Sequence, residues 1–353
     1  MNILILGGTG AMGTHLCKLL AIGGGGIFVT SRLERQAEDG ITYLKGNAHE
    51  EQFLRAILKE RIWDAIVDFM VYNTEEFRQR ANLLLQSTNQ YVFLSSARVY
   101  ADSATPITED SPRLLDVCTD QDYLSTDEYA LTKARQEDIL RQSGMRNWTI
   151  IRPYVTFSEI RLQLSPAEKE SWLWGALHGK TILFSRDLAD RYTTLTYGYD
   201  VARGIAALLG KETAYGEAFH ITAGECHKWS ELLENYLDAI EKKIGRRPKV
   251  KMLDHWVQAI GGGSMQVKWD RLYDRRFDTS KISKYIDTST FKQTLPAMAE
   301  CLSDFIDNPE FKSIHWGYEA RKDKLTGEWT NISEIPEAKQ KIKYLLIRCG
   351  LHK

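Results

Sequence analysis

The chain opens with Ile3-Leu4-Ile5-Leu6 and runs directly into Gly7-Gly8-Thr9-Gly10-Ala11-Met12-Gly13. Four consecutive Ile and Leu residues are too few for a helix and read as a strand buried on both faces. The glycines supply a tight turn, and residues 14–21 then carry Leu16, Leu19 and Leu20 on one helical face. Strand, glycine turn and helix in this order constrain the fold more than any other feature, because they open a parallel α/β unit. The rhythm continues. Short apolar runs predict strands at 27–30, 41–44, 64–69, 91–94 and 148–151. Helices are expected at 49–61 (with Phe53, Ala56, Ile57 and Glu60 on its face), 74–87 and 126–143. Alternation of this kind implies a Rossmann-type doubly wound parallel sheet with right-handed crossovers, in the α/β class. Ligands then bind at the carboxyl ends of the strands.

After Pro153 the pattern changes. Residues 156–193 read as irregular with one helix at 168–177, a helix is expected at 200–209, a further strand at 219–222 and a helix at 229–244. Gly261-Gly262-Gly263 marks a loop. The expected division is a dinucleotide-binding domain over 1–155 with a returning segment at about 194–222, and a smaller α/β substrate domain from 156–193 and 223–305. The two parts interleave and are expected to hold ligand between them. Most of the nine tryptophans lie from Trp172 onward, where they read chiefly as core. Residues 306–353 form an extension, with a helix at 334–346 carrying Ile335, Ala338, Ile342, Leu345 and Leu346 on a face suited to covering the substrate domain or joining a homodimer.

Composition narrows the function. The net charge of −1 in 353 residues argues against a dedicated nucleic-acid binder. No apolar stretch is long enough to span a membrane, and the N-terminus lacks the basic region of a signal peptide. The five cysteines form no C-x-x-C, so neither a disulfide framework nor a metal site is expected, and a cytoplasmic location follows.

The glycine loop fits a dinucleotide. Gly7 permits the turn, Gly10 lets the backbone approach a pyrophosphate, and Gly13 lets helix and strand pack closely. The amides around Ala11 and Met12 face the phosphates at the positive end of the helix. The second strand ends in Thr30-Ser31-Arg32, where an NAD site usually has an acid for the ribose 2′-hydroxyl. A hydroxyl followed by a guanidinium suits a 2′-phosphate, which favours NADP and leaves NAD open. Asn47 falls where an adenine-edge contact would lie.

Tyr129-Ala130-Leu131-Thr132-Lys133 carries the chemistry. Residues four apart share a helix face, so the Lys133 ammonium can lie beside Tyr129 and favour its phenolate. Such a tyrosine can move protons near neutral pH. Ser96, at a strand end, is placed to bond the same substrate oxygen.

Together with Val92-Phe93-Leu94-Ser95-Ser96-Ala97-Arg98-Val99-Tyr100, these stretches resemble the extended short-chain dehydrogenase/reductases, the NAD(P)-dependent epimerase/dehydratase superfamily. Arg152-Pro153, Asp200-Val201-Ala202 and Phe219-His220-Ile221-Thr222-Ala223-Gly224 support the resemblance. It implies Ser96, Tyr129 and Lys133 as catalytic residues, with Lys133 also holding the nicotinamide ribose and Pro153 beside the cofactor. It also implies a small-molecule substrate, usually a nucleotide sugar. Ala97 and Arg98 stand where sugar 4,6-dehydratases carry Asp-Glu, which disfavours dehydration and leaves epimerase or ketoreductase. Val155 replaces a usual Asn, and Tyr197 a usual His. Arg98, Tyr154, Arg191, Arg271 and Arg276 are the candidate substrate contacts, with Lys268 a further cation for phosphates. Some atypical members of the family are linked to RNA, and the alternative reading is a non-catalytic or RNA-associated cofactor-binding protein. In this chain the corresponding basic cluster is Lys242-Lys243 with Arg246, Arg247, Lys249 and Lys251, which reads better as a solvated helix end.

Overall fold

The computed structural model describes residues 1–38, 40–261 and 264–351. Gly262 and Gly263 of the expected glycine loop lie outside the described residues, while Gly261, at φ +70°, caps the helix Trp256–Ile260. The chain divides into two compact units. The first comprises Met1–Ser158, Thr194–Glu225 and Arg276–Thr294, and the second Glu159–Thr193, Cys226–Arg275 and Leu295–Lys353.

The first unit is built on a seven-stranded parallel sheet. Its strands are β1 (Asn2–Leu6), β2 (Gly26–Ser31), β3 (Ile41–Lys45), β4 (Trp63–Asp68), β5 (Thr88–Leu94), β6 (Trp148–Pro153) and β7 (Glu217–Ile221). Their order across the sheet is β7-β6-β5-β4-β1-β2-β3. The returning segment therefore supplies an edge strand, β7, in parallel register with β6. Alternation along the strands sorts side chains into two cores. Ile3 and Ile5 join Val92 and Leu94 on one face. Leu4 and Leu6 join Tyr91 and Phe93 on the other. Each such side chain, fully buried, contributes roughly 1.5–3 kcal/mol, which is why an unbroken apolar run is needed for a strand covered on both sides.

The helices used below are α1 (Gly13–Ile22), α2 (Glu51–Lys59), α3 (Thr74–Gln86), α4 (Tyr129–Gln142) and α5 (Gly198–Leu208). Of the expected face Phe53, Ala56, Ile57 and Glu60, helix α2 buries Ile57 and packs Phe53 against the core, while Ala56 and Glu60 are exposed and Leu54 and Leu58 are buried instead. Helix α4 starts three residues later than expected, because Glu128 caps it by accepting from the Ala130 N–H at 2.8 Å.

Residues 276–294, read from sequence with the substrate part, pack with the sheet. Ile282 and Phe291 enter its core, and Ile107 and Phe277 form a β-bridge.

The stretch 156–193 is less irregular than its sequence suggested, since in the second unit Ile182–Ser185 pairs in parallel with Val250–Leu253. The helix Trp229–Ile244 is found as expected. Residues 306–353 are integral to this unit. Trp316, Ala320, Ile335, Tyr344 and Ile347 form one core with Trp174. The last helix is Ala338–Arg348, and it buries Tyr344 and Ile347 while leaving Ile342 60% exposed, which corrects the face read from sequence. Trp172, Trp229 and Trp256 are likewise buried. Among the described residues no helix is long and apolar enough to cross a membrane.

Candidate active site

The glycine turn joins β1 to α1 beside β4, where the order of the sheet reverses. Gly7 adopts φ +71°, and a Cβ there would meet the Met70 sulfur at 2.8 Å. A Cβ on Gly13 would fall 2.7 Å from the backbone of Gly8, so helix and turn touch main chain to main chain. Gly10 differs: no atom lies within 4 Å of its Cβ position. Its lack of a side chain therefore serves something other than internal packing. The first helical bond runs from the Thr14 N–H to the Gly10 carbonyl, and the amides of the preceding turn are those a helix leaves for an anion. The Ala11 carbonyl also touches α5, where a Cβ on Gly198 would come within 2.6 Å of it. Sequence reasoning missed Gly198, and its only signal was its place just before Asp200-Val201-Ala202.

A cavity of about 320 Å³ adjoins this turn. Gly7, Ser31, Arg32 and Asn47, far apart in sequence, line it together with Thr9, Thr30, His49 and Met70. Among the described residues, none that lines it is acidic. Ser31 donates its hydroxyl hydrogen to the Leu33 carbonyl at 2.8 Å, so this group can only accept from a ligand. Arg32 is exposed. Asn47 accepts from the His49 N–H at 3.2 Å, shaping the entry to α2. An open glycine, a helix N-terminus and a cavity lined by Thr30, Ser31, Arg32 and Asn47 fit a dinucleotide's phosphates and adenosine half.

At the ends of β5 and β6 a second group assembles. Ser95 and Ser96 follow β5. Ser95 donates to Glu137 at 2.6 Å, whereas the Ser96 oxygen accepts from the Arg98 N–H at 3.2 Å, which leaves its hydroxyl hydrogen to donate elsewhere. Tyr129 is the first residue of α4 and is 38% exposed. Lys133, one turn on, is buried and donates to the Leu94 carbonyl at 2.7 Å, with its nitrogen 6.0 Å from the Tyr129 ring centre. Burial pushes the Lys133 ammonium down to about 8, opposed by the charges of Asp68 and Glu137. Arg98 stands 5.3 Å from the same ring, a second cation that the sequence did not reveal there.

Behind them Glu137, on the same face of α4, receives Arg152 through two bonds of 2.8 and 2.7 Å. Desolvation is the largest single influence on its carboxyl, yet the charges and hydrogen bonds of Arg152, Arg141 and Ser95 together hold it down at about 2. Arg152, known from sequence only as part of a motif, is thus an internal tie. His220 of the last motif is buried too, 3.3 Å from the Tyr100 hydroxyl.

The expected substrate contacts are divided between the two units, with Arg98, Tyr154 and Arg276 in the first and Arg191 and Arg271 in the second. Arg98 is tied to Glu128 at 2.6 Å. Pro153 is the buried end of β6, and Tyr154 lies buried against Phe277 with ring centres 5.4 Å apart. Arg276 is exposed in the first unit, and Arg191 is exposed in the second. Arg271 is corrected: it is 2% exposed, ion-paired with Asp270 and bonded to the Ser165 carbonyl, so its guanidinium is already committed. The basic cluster at the end of helix Trp229–Ile244 is also occupied. Arg247 pairs with Glu234, Asp238 and Glu241, and Lys243 with Asp307. Among the described residues no group of three or more His, Cys, Asp or Glu is placed to hold a metal ion.

Comparison with known proteins gives the same fold. No curated protein sequence matches the chain. Among solved structures it is similar to the Bordetella bronchiseptica enzyme WbmH in complex with NAD+ (TM-score 0.67, 15% identity, covering 88% of this chain and 99% of that one). It is also similar to UDP-glucose 4-epimerase from Bifidobacterium longum in complex with NAD+ and UDP (TM-score 0.65, 19% identity, 88% and 99% covered). A third is UDP-glucuronic acid 4-epimerase from Bacillus cereus in complex with UDP-glucuronic acid and NAD (TM-score 0.66, 16% identity, 88% and 100% covered). At these identities the likeness is one of fold. The family model for the NAD-dependent epimerase/dehydratase family matches residues 3–222, a span that holds the glycine turn, the Ser-Ser strand end and the Tyr129–Lys133 helix, and the chain belongs to that family.

Proposed function

We propose that the chain is an NAD(P)-dependent epimerase or ketoreductase acting at a hydroxyl or keto carbon of a nucleotide sugar or a similar polar small molecule. The observation that carries this reading is Tyr129 itself: a half-open tyrosine at a helix start, with Lys133 and Arg98 against its ring. In this reading the Tyr129 oxygen takes a proton from a substrate hydroxyl and returns it to a carbonyl, with the Lys133 and Arg98 side chains beside its ring. Ser96 donates to that same substrate oxygen and fixes its direction. Lys133 holds the nicotinamide ribose in this reading, while the glycine turn, Ser31, Arg32 and Asn47 hold the rest of the dinucleotide. The bound cofactor supplies the hydride acceptor or donor. Ala97 is buried and Arg98 is paired with Glu128, so neither position offers the acid or base that 4,6-dehydration requires.

NADP is the preferred form in this reading. Arg32 lines the cavity, none of the described lining residues carries a carboxylate, and Ser31-Arg32 stand where an acid would receive a 2′-hydroxyl.

The test is turnover of UDP-glucose and UDP-glucuronic acid with NAD and with NADP, followed by absorbance at the nicotinamide band and by NMR of the sugar. Tyr129→Phe should abolish turnover while NADH and NADPH still bind. Turnover near wild type in Tyr129→Phe removes the mechanism.

A further inference from the structure

Asp68 ends β4 and is 1% exposed, and the reading above gives it no task. Every hydrogen bond it makes is received. The Met70 N–H donates at 2.9 Å, the Tyr91 hydroxyl at 2.8 Å and the Tyr72 hydroxyl at 3.1 Å. Burial pushes the Asp68 carboxyl up, and the three donors converging on it, with the charge of Lys133, oppose that rise by favouring the ionised form. A buried carboxylate also needs a positive charge nearby, and among the described residues no guanidinium or ammonium is within ion-pair distance of it.

The nearest answer is Lys133. Asp68 is paired in register with Phe93 of β5, so their side chains leave the sheet on the same face. The Lys133 nitrogen lies 4.6 Å from the centre of the Phe93 ring. Asp68 and Lys133 therefore flank one aromatic ring in a dry interior, where charges act over longer distances than in water. The other groups around Lys133 are accounted for. Glu137, on its own helix, is paired with Arg152 of β6, with Arg113 and with Arg141. Tyr129 lies on the open side. Arg80, which stacks on Tyr72, is paired with Glu76. Asp68 is the one carboxylate of this group without a cation of its own.

We infer that Asp68 is a positioning residue, the buried counter-charge that keeps Lys133 an ammonium beneath Tyr129. The inference rests on the reading of Lys133 as an active-site lysine. It makes the proton balance of Tyr129 depend on a residue that touches neither substrate nor cofactor.

The experiment uses the full chain labelled with 15N-lysine, with the Lys133 signal identified by its loss in Lys133→Arg, and titrates it by NMR. The wild-type signal should turn over near 8. In Asp68→Asn it should turn over about one pH unit lower or more, as expected when an opposite charge is removed, and Asp68→Glu should restore it. An unchanged midpoint in Asp68→Asn overturns the inference. If Asp68→Asn does not fold, 13C-aspartate labelling of the wild-type chain decides. The Asp68 carboxyl should report the same inflection near 8 and lose it in Lys133→Met, and a featureless Asp68 signal overturns the inference. The underlying reading fails separately, if Lys133→Met leaves turnover of UDP-glucose and UDP-glucuronic acid unchanged.

Discussion

Glu137→Gln tests whether the interior tie behind the active site holds the sheet unit together. Glu137 is fully buried and receives Arg152 twice, Ser95 at 2.6 Å, and Arg113 and Arg141 at 3.4 and 3.2 Å. Its carboxyl titrates at about 2 in the fold against 4.5 as a free group, which corresponds to about 3 kcal/mol of stability from the charged form. Breaking one side of a buried pair costs roughly 3–5 kcal/mol in general, because the partner is left as an uncompensated buried charge. The two figures agree, so Glu137→Gln should lose about 3 kcal/mol at pH 7. The sign with pH follows from linkage. A carboxyl depressed in the fold stabilises above its unfolded value, and that contribution disappears as pH falls from 4.5 toward 2. Wild-type stability should therefore drop across that window, and the glutamine variant should drop less, having no proton to gain there. Urea unfolding of both proteins between pH 7 and pH 3, followed by far-UV circular dichroism, measures the difference. Equal stability at pH 7, or parallel pH profiles, would refute the reasoning.

Other substitutions separate packing from ligand binding. Gly10→Ala adds a methyl where no atom lies within 4 Å, so thermal stability should stay within a degree or two while NADH binding, read by its fluorescence, falls at least tenfold. Gly13→Ala should instead lower the melting temperature, because its methyl would meet the Gly8 backbone at 2.7 Å; a melting temperature equal to that of Gly10→Ala would contradict this contrast. Arg32→Asp should weaken NADPH binding by about tenfold or more relative to NADH, the scale of one lost charge-assisted contact, and an equal effect on both cofactors would remove the 2′-phosphate assignment.

Several features are legible in the sequence alone. Solid apolar runs between glycine turns can bury both strand faces only inside a sheet covered on both sides, and that is how Ile3–Leu6 packs. The spacing of Tyr129 and Lys133 fixed their place one turn apart, because helical periodicity is local. Position in the glycine turn did the same for Gly7 and Gly13. Helix faces were less secure. In α2, Phe53 and Ile57 of the expected face meet the core, but Leu54 and Leu58 join them in place of Ala56, since several stripes of one short helix are apolar and the neighbouring sheet selects among them.

Charges were the least legible. Arg152, Arg271 and Arg98 look alike in sequence, yet one ties strand to helix, one is buried against Asp270 and one leans over Tyr129. Asp68 was only the end of an apolar strand until the fold set Tyr72, Tyr91 and Lys133 around it. Sequence by itself determined the alternation, the turn and the residue types available for chemistry, because these depend on neighbours a few positions apart. Only the tertiary structure decided which charges meet, which are dry and which face solvent. Those outcomes depend on distance and burial, and both are properties of the packed chain.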